Sequence, residues 1–334
     1  MNLFYQVVAT GTNRFYHKEF TGIVHRRRRR VIVSCRRFYL LDTSIYIFRA
    51  WFGMPDSLRD RHGNSINAVY GFAHFVADLL ADTNARYVAG FFDESLGTSF
   101  RHELYPAYKA NRELPPEDLE YQFRLCKRLL KTLGIRTFAS RRYEADDLIA
   151  SAAHRLSTQG DAVTIVSADK DLAQCLTSSD DRFWHYGKSA PATAHDIQQQ
   201  FGVTPAQMAD YLALCGDAVD NIPGIRGVGS KTASRLLAHF GDISSLLNYQ
   251  GEVPDLGIRG QSSILQRIQS DKIQLRLFQR LTRLRKSALD SQQVNTKRLR
   301  RMKVNEQNIS KLLEDELGLN SKLSDKLVTA ARFT

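Results

Sequence analysis

The sequence predicts an α/β fold with a mainly parallel central sheet covered by helices, followed by a smaller subdomain built only of helices. Over residues 38–190, short apolar segments alternate with amphipathic segments, which is typical of βαβ units. Beyond residue 190 the pattern contains only helical segments separated by Gly/Pro turns. Three of the apolar segments end in an aspartate, which indicates polar groups at one edge of the sheet.

The elements of the α/β part follow from the spacing of the apolar residues. The first strand, "FYLLD", is a short apolar run, and the segment beginning at Ile66 has the period of an amphipathic helix. The second strand, "YVAGFFD", precedes a helix that ends at a glycine. After "IRTF" come a helix beginning at Glu144 and a strand ending at Asp169. The main predicted ranges are 38–42, 66–80, 87–93, 119–134 and 161–169.

Four helices are predicted after the α/β part, at 195–202, 204–216, 230–241 and 263–284. The last is the longest, because its apolar residues keep a helical period without a break. We place a subdomain boundary near residue 190 and expect residues 191–290 to form one helical subdomain. Residues 291–334 are predicted to be a partly helical extension.

The basic charge of the chain comes from its two ends. The formal net charge is +12, but residues 1–37 carry nine Lys/Arg against one Glu, and residues 295–334 carry nine against five acids. The charge of the whole chain therefore does not show that the central fold binds nucleic acid. The first segment, with "HRRRRR", is interpreted as a disordered basic extension or as residues added by a mistaken start site. A nucleic-acid or targeting segment is the alternative.

Cysteine spacing and hydropathy indicate a cytoplasmic protein. The four cysteines lie far apart in the sequence and lack metal-ligand spacing, so reduced thiols are expected at Cys35, Cys126, Cys175 and Cys215. No run of about 18 apolar residues is present, so no membrane span is predicted.

Acidic residues occur where the predicted fold brings chain segments together. Parallel strands direct their carboxyl ends to one edge of a sheet, so Asp42, Asp93 and Asp169 are expected to approach one another. The helix start "YEADDL" adds three acids, more than a helix N-terminus requires. Neighbouring carboxylates raise one another's pKa unless a cation neutralises them, and oxygen ligands suit Mg²⁺. We predict two Mg²⁺ ions, replaceable by Mn²⁺, among Asp42, Asp93, Glu144, Asp146, Asp147, Asp169, Asp171, Asp217 and Asp220.

The most specific stretch is 216–241, which has the pattern of a helix end, a Gly/Pro-rich hairpin and a new helix. Gly227, Gly229 and Ser230 lie at the predicted N-terminus of that helix, with Lys231 beside them. Glycines let a phosphate approach the backbone, whose N–H groups bind it. An ordinary tight turn is the alternative, and a Walker P-loop is excluded because no strand precedes the glycines. Such contacts would position DNA without reading its sequence.

Five motifs in this order make the chain resemble the bacterial 5′→3′ exonuclease and flap endonuclease family, which includes the N-terminal domain of DNA polymerase I. They are "LLDTSIYIFRAW", "FFDES…SFRHELYPAYKANR", "YEADDL", "SADKDLAQ" and "GDAVDNIPGIRGVGSKTA", within about residues 38–290. The resemblance implies a PIN-like nuclease core at 38–190, a helical arch at about 97–116 and a helix-hairpin-helix-type motif at 216–232. It implies a first metal group of Asp42, Asp93, Glu144, Asp146 and Asp147. It implies a second of Asp169, Asp171, Asp217 and Asp220.

The resemblance also implies roles for basic and aromatic residues. Arg101, Lys109 and Arg112 match positions that bind the scissile phosphate and the threaded 5′ strand, and Arg49 matches another phosphate contact. Tyr108 matches an aromatic on which a terminal base stacks; from the residues alone, the core of a short helix explains it equally well. Implied DNA contacts are Gly227, Val228, Gly229, Ser230, Lys231 and Thr232. A K⁺ ion is implied on the backbone oxygens of Leu214, Cys215, Pro223, Ile225 and Val228.

Together these features predict a monomeric, Mg²⁺-dependent nuclease that cuts DNA at 5′ flaps, nicks or free 5′ ends in replication or repair. We expect it to act without a polymerase domain, in the bacterial cytoplasm. A non-catalytic DNA-binding protein of the same fold is the alternative, although clustered acids near a phosphate path would repel DNA. A phosphatase is disfavoured because "LDTS" lacks the second aspartate of a D-x-D motif.

Overall fold

A five-stranded parallel sheet organises the protein in the computed structural model, which describes residues 36–95, 97–113 and 115–332. Its strands are β1 (Arg37–Asp42), β2 (Tyr87–Asp93), β3 (Arg136–Ser140), β4 (Ala162–Val166) and β5 (Arg182–Trp184). Their order is β3-β2-β1-β4-β5, and every neighbouring pair is parallel. The direction of strand addition reverses between β1 and β4, the place where open α/β sheets bind ligands. The predicted fold class is confirmed.

Helices cover both faces of the sheet. The helices of this part are α1 (Thr43–Gly53), α2 (Asn67–Thr83), α3 (Phe100–Leu104), α4 (Glu117–Thr132) and α5 (Ala145–Thr158). Successive strand residues point to opposite faces, so Leu40 joins one hydrophobic core and Leu41 joins the other. The core that contains Leu40 also contains α5 residues and continues into the helices beyond residue 190.

The second half of the chain is helical, as the sequence predicts. It contains α6 (Ala194–Phe201), α7 (Met208–Cys215), α8 (Ser230–Phe240), α9 (Ile243–Asn248), α10 (Gln261–Ser270) and α11 (Lys272–Thr282). The prediction of one helix over 263–284 is wrong, because Asp271 is non-helical (φ −94°, ψ 17°) and separates α10 from α11. Ile268 and Leu275, on either side of Asp271, are both fully buried. The spacing of the apolar residues is therefore the same as in one continuous helix and does not show the break.

The C-terminal residues pack against helices that cover the sheet. They form α12 (Thr296–Leu299), α13 (Glu306–Ser310), a π-helical segment (Lys311–Glu316) and α14 (Ser321–Ala331). Leu323 and Leu327 of α14 belong to the same core as α2. At the other end, Arg37 already begins β1 and Arg36 pairs with Asp161; the rest of the predicted basic extension lies outside the described residues.

The described residues also test the predictions about cysteines and membrane spans. Cys126, Cys175 and Cys215 are free thiols, whereas Cys35 lies outside the described residues. Across the described ranges, no helix is both long enough and apolar enough to cross a bilayer.

Candidate active site

The carboxyl edge of the sheet carries acids at the point where the strand order reverses. Asp42 is the last residue of β1, and Asp93 is the last residue of β2 beside it. The strand predicted to reach Asp169 ends instead at Val166, so Asp169 lies in the loop that follows β4. Ser167 connects the two sides of the reversal: its hydroxyl donates to Asp42 Oδ2 (2.7 Å) and accepts from the Asp169 N–H (2.9 Å).

Burial and mutual repulsion show that several of these carboxylates are close in space. Burial raises the pKa of Asp42 to about 7, with further contributions from Asp169 and Asp93. Burial also raises the pKa of Asp146, again with contributions from Asp169 and Asp42. Among the described residues, no salt bridge reaches any of these acids. We call Asp42, Asp93, Asp146 and Asp169 the four-acid cluster.

Glu144, in contrast, is neutralised by side chains of the chain itself. It lies just before α5 and is 3% exposed. Lys109 Nζ lies 3.0 Å from its Oε1, and Arg101 Nη1 lies 3.2 Å from its Oε2. Although burial opposes ionisation, these two cations lower the pKa of Glu144. Glu144 is thus a paired carboxylate in this conformation.

Asp147 also faces a cation rather than the four-acid cluster. Arg101 binds both of its oxygens (2.6 and 2.9 Å), and the Arg285 N–H donates to Oδ1 (2.8 Å). Neighbouring residues of an α-helix point about 100° apart, and here Asp147 points to Arg101, whereas Asp146 interacts with Asp169 and Asp42. In this conformation Asp147 is paired with Arg101, and its place in the first metal group stays a prediction.

Arg101 and Tyr108 are buried, each only 1% exposed, although the resemblance implies contacts with DNA. Arg101 Nε donates to the Leu281 carbonyl (2.7 Å), and the Tyr108 hydroxyl lies within 3.0 Å of both Glu144 Oε2 and Asp220 Oδ2. In this conformation Tyr108 presents no face to a base, which agrees with its alternative interpretation as a core residue.

The described part of the predicted arch contains one short helix, α3, followed by turns that lie against the acids. Besides Glu144, Lys109 approaches Asp220 Oδ1 (3.8 Å), and Arg112 Nη2 donates to the same oxygen (2.8 Å). The Arg112 side chain is 46% exposed, so it can leave Asp220 for an incoming phosphate at small cost.

Lys170 is a cation of the site that sequence reasoning missed. Its Nζ lies 2.5 Å from Asp217 Oδ2 and 3.5 Å from Asp171 Oδ1. Although burial opposes ionisation, Lys170 lowers the pKa of Asp217. Its position between two candidate acids in "DKD" is the signal that could have identified it.

The donor chemistry fits a hard divalent cation, although the side chains are not yet arranged around one. Across the described ranges, no three acids, histidines or cysteines converge as a complete ligand set. However, Asp171 Oδ1 is buried without a hydrogen bond, and burial together with Asp169 raises the pKa of Asp171. Carboxylate oxygens that repel one another are the ligands that Mg²⁺ or Mn²⁺ would stabilise.

The hairpin between α7 and α8 presents backbone groups. Asp217 and Ile222 exchange two backbone hydrogen bonds (2.7 and 2.8 Å), which close the loop before the hairpin. Gly224 has φ +65°, and a Cβ there would lie 2.3 Å from the Gly216 nitrogen, so only glycine fits. The predicted contacts Gly227, Val228, Gly229, Ser230, Lys231 and Thr232 all lie here. The N-cap of α8 is Gly229, which has no side chain to cap the helix, so the N–H groups of the first turn are available to a phosphate.

The carbonyls predicted to bind K⁺ also fold the hairpin. Leu214 O accepts from the Ile225 N–H (2.8 Å), and Ile225 O accepts from the Val228 N–H (2.9 Å). Each carbonyl oxygen has a second lone pair, and K⁺ binding by Leu214, Cys215, Pro223, Ile225 and Val228 stays a prediction. Arg49 donates to the Tyr186 carbonyl (3.1 Å) and lies over the Tyr46 ring.

The chain matches two protein-family models, one over the α/β part with its acidic sheet edge and one over the helical subdomain with the hairpin. Residues 37–202 match the 5′-3′ exonuclease N-terminal resolvase-like domain, and residues 203–308 match the 5′-3′ exonuclease C-terminal SAM fold. The chain belongs to the 5′-3′ exonuclease family, which confirms the resemblance.

Similar proteins include both short and long chains. A 5′-3′ exonuclease of Aquifex aeolicus is 37% identical over 223 residues, covering 66% of this chain and 76% of that protein. DNA polymerase I of Rhizobium leguminosarum is 38% identical over 254 residues, covering 74% of this chain. The chain spans only 24% of that polymerase, about a quarter of its length.

Solved structures with low sequence identity share the fold. The phage T5 D15 protein, co-crystallised with metal ions, is 21% identical with a TM-score of 0.60, over 89% of this chain and 100% of that one. The catalytic core of Rad2 with a DNA substrate is 15% identical, also with a TM-score of 0.60, over 89% and 93%. At this identity, the comparisons support the α/β architecture with its helical subdomain.

Proposed function

We propose that this protein is a Mg²⁺-dependent nuclease that hydrolyses DNA at 5′ flaps, nicks and free 5′ ends, as a monomer in the bacterial cytoplasm. The observation that carries the proposal is the four-acid cluster at the β1/β4 reversal, where burial and neighbouring acids raise the pKa values of Asp42 and Asp146 and no described cation forms a salt bridge with any of the four acids. Family membership supports DNA hydrolysis, and a structurally similar protein, the T5 D15 flap endonuclease, has been crystallised in complex with DNA and metal ions.

The divalent ions would be held by the four-acid cluster together with Asp171. When bound, such ions polarise a phosphodiester and lower the pKa of water. Mn²⁺ would serve as well, because it accepts the same oxygen ligands. Glu144 and Asp147 would instead hold Lys109 and Arg101 in place at the edge of the site.

The basic residues of segment 107–112 would bind the phosphate being cleaved. Lys109 and Arg112 are already within 3.8 and 2.8 Å of Asp220 Oδ1, so both cations lie beside the acids. Transferring their hydrogen bonds to a phosphate would offset charge that develops during hydrolysis. Arg101 would support them from within the core, since both Asp147 oxygens hold it.

Duplex DNA would be held by the hairpin. The free N–H groups at the start of α8 and the exposed Lys231 side chain would bind backbone phosphates without reading bases. A K⁺ ion on the hairpin carbonyls would add positive charge at the same place. Arg49 would supply a further phosphate contact.

The test is cleavage of a labelled 5′-flap oligonucleotide with Mg²⁺, Mn²⁺ or EDTA. We expect Asp146→Asn to lower cleavage by more than about a hundredfold, with flap binding in EDTA within about twofold of the unaltered protein. The exposed Asp180→Asn is the matched control and should cleave normally. Undiminished cleavage by Asp146→Asn would remove the metal hypothesis. Tight binding without cleavage in any metal by the unaltered protein would favour the non-catalytic alternative.

A second test concerns the hairpin. Lys231→Ala should weaken binding to all duplex sequences alike and reduce the slope of log K against log salt by about 1, because one phosphate contact is lost. Lys322→Ala, at an exposed position of α14, is the control. A loss restricted to some sequences would contradict a phosphate contact.

A further inference from the structure

Two segments that are distant in sequence are tied together beside the proposed site. Residues 107–112 follow α3, and residues 217–221 form the loop between α7 and the hairpin. Tyr108 and Arg112 form side-chain hydrogen bonds to Asp220 and Val219, and we call three other hydrogen bonds between the segments the cross-loop latch. They run from Asn221 Nδ2 to the Ala107 carbonyl (2.7 Å), from the Lys109 N–H to the Asp220 carbonyl (3.1 Å) and from Asn111 Nδ2 to the Ala218 carbonyl (3.1 Å).

The latch holds Lys109 in a backbone conformation that its side chain disfavours. Lys109 has φ +53°, in the left-handed region where a Cβ meets the following carbonyl. Such strain persists only where surrounding contacts determine the conformation. Here the latch bonds lie two residues before, at, and two residues after Lys109. As a result, the Lys109 ammonium group lies 3.0 Å from Glu144.

The loop formed by residues 217–221 is itself held by internal hydrogen bonds. The Asp217–Ile222 backbone pair closes it, and Asp217 Oδ1 accepts from the Val219 N–H (2.8 Å). Asn221 also has φ +55°, a conformation that asparagine tolerates better than other non-glycine residues. Because the loop leads directly into the hairpin, Asn221 connects the proposed duplex-binding element to Lys109.

We propose that Asn221 is a positioning residue for the reaction: its carboxamide holds the Ala107 carbonyl and so keeps Lys109 beside the acids. This inference rests on the proposed function, and its first readout is kinetic. Asn221→Gly removes the carboxamide and keeps the left-handed backbone available. We expect its kcat on a 5′-flap substrate to fall about tenfold, as for the loss of one hydrogen bond to a positioned group, while KM changes less than about twofold.

Two further variants separate positioning from general destabilisation. Asn111→Ala breaks another bond of the latch and should lower kcat in the same direction. Asn308→Ala, at an exposed position of α13, should leave kcat unchanged. The Tm of Asn221→Gly and its flap binding in EDTA should match those of the unaltered protein. An unchanged kcat in Asn221→Gly, or a KM increase that accounts for the whole loss of activity, would overturn the proposal.

A readout independent of nuclease activity is trypsin cleavage after Lys109 and Arg112 under native conditions. We expect these cuts to be about tenfold faster in Asn221→Gly, because the latch no longer closes the segment. Equal cleavage rates in the two proteins would overturn the latch itself. If the unaltered protein cleaves no DNA but Asn221→Gly is cut faster by trypsin, the proposed function fails while the latch is supported.

Discussion

Removing a charge from the four-acid cluster should stabilise the metal-free protein while abolishing its activity. The substitution is Asp42→Asn, which keeps the shape of the side chain and an oxygen that can accept from the Ser167 hydroxyl. Asp42 is 5% exposed, and no described Lys or Arg forms a salt bridge with it. Burial and the neighbouring acids therefore destabilise its charged form.

The magnitude follows from the pKa of Asp42, which is raised from 3.8 to about 7. At about 1.36 kcal/mol per pKa unit, the ionised carboxylate costs at most about 4 kcal/mol at pH 8. Water and side-chain relaxation reduce this cost, so we expect the free energy of unfolding to rise by about 1–3 kcal/mol. For a chain of this size, each kcal/mol corresponds to about 1–2 °C in Tm.

The pH dependence has a definite sign. Since the folded-state pKa of Asp42 is raised, ionisation of this group lowers the stability of the unaltered protein as the pH rises from about 4 to about 7, and Asp42→Asn lacks this contribution. The advantage of the variant should thus be absent at pH 4 and complete at pH 8. Adding Mg²⁺ at pH 8 should raise the Tm of the unaltered protein more than that of the variant.

Urea and thermal unfolding in EDTA and in Mg²⁺ provide the assay, with flap cleavage measured in parallel. Asp161→Asn is the matched control, because Asp161 is equally buried but binds Arg36 through both oxygens (2.8 and 2.9 Å). That variant should lose about 1–3 kcal/mol. The reasoning is refuted if Asp42→Asn destabilises the metal-free protein at pH 8 as Asp161→Asn does, or if Mg²⁺ stabilises Asp42→Asn fully.

Two other substitutions test the packing around the site. Asp147→Asn should lower the free energy of unfolding by about 3–5 kcal/mol, because it leaves Arg101 buried with one weaker partner; a loss below about 1 kcal/mol in urea unfolding would contradict this. Gly224→Ala should lower the free energy of unfolding by about 2 kcal/mol or more, because its Cβ would lie 2.3 Å from a backbone nitrogen. Gly160→Ala, with φ +78° and open space around the added Cβ, should lower it by about 1 kcal/mol, as measured by the change in Tm. Equal losses in the two glycine variants would show that hairpin contact is not the cause.

Local sequence patterns predicted much of the fold, and they failed where a feature depends on contacts between residues that are far apart in the sequence. The apolar runs locate β1 and β2 with their terminal acids, because strand burial and strand ends are written into a few consecutive residues. The three-residue β5 has no comparable run, and the break at Asp271 leaves the apolar period intact. Those features depend on what the segment packs against.

For the site, the amino-acid pattern shows which residue types are available and that acids follow parallel strands near a glycine hairpin. The pairing of these acids depends on the folded chain, which places Asp147 beside Arg101, Asp217 beside Lys170 and Asp42 beside Ser167. Asp147 and Arg101 are 46 residues apart in the sequence, and Asp42 and Ser167 are 125 residues apart. No local periodicity encodes such distances, because a carboxylate's charge state depends on burial and on the groups that the completed fold places beside it.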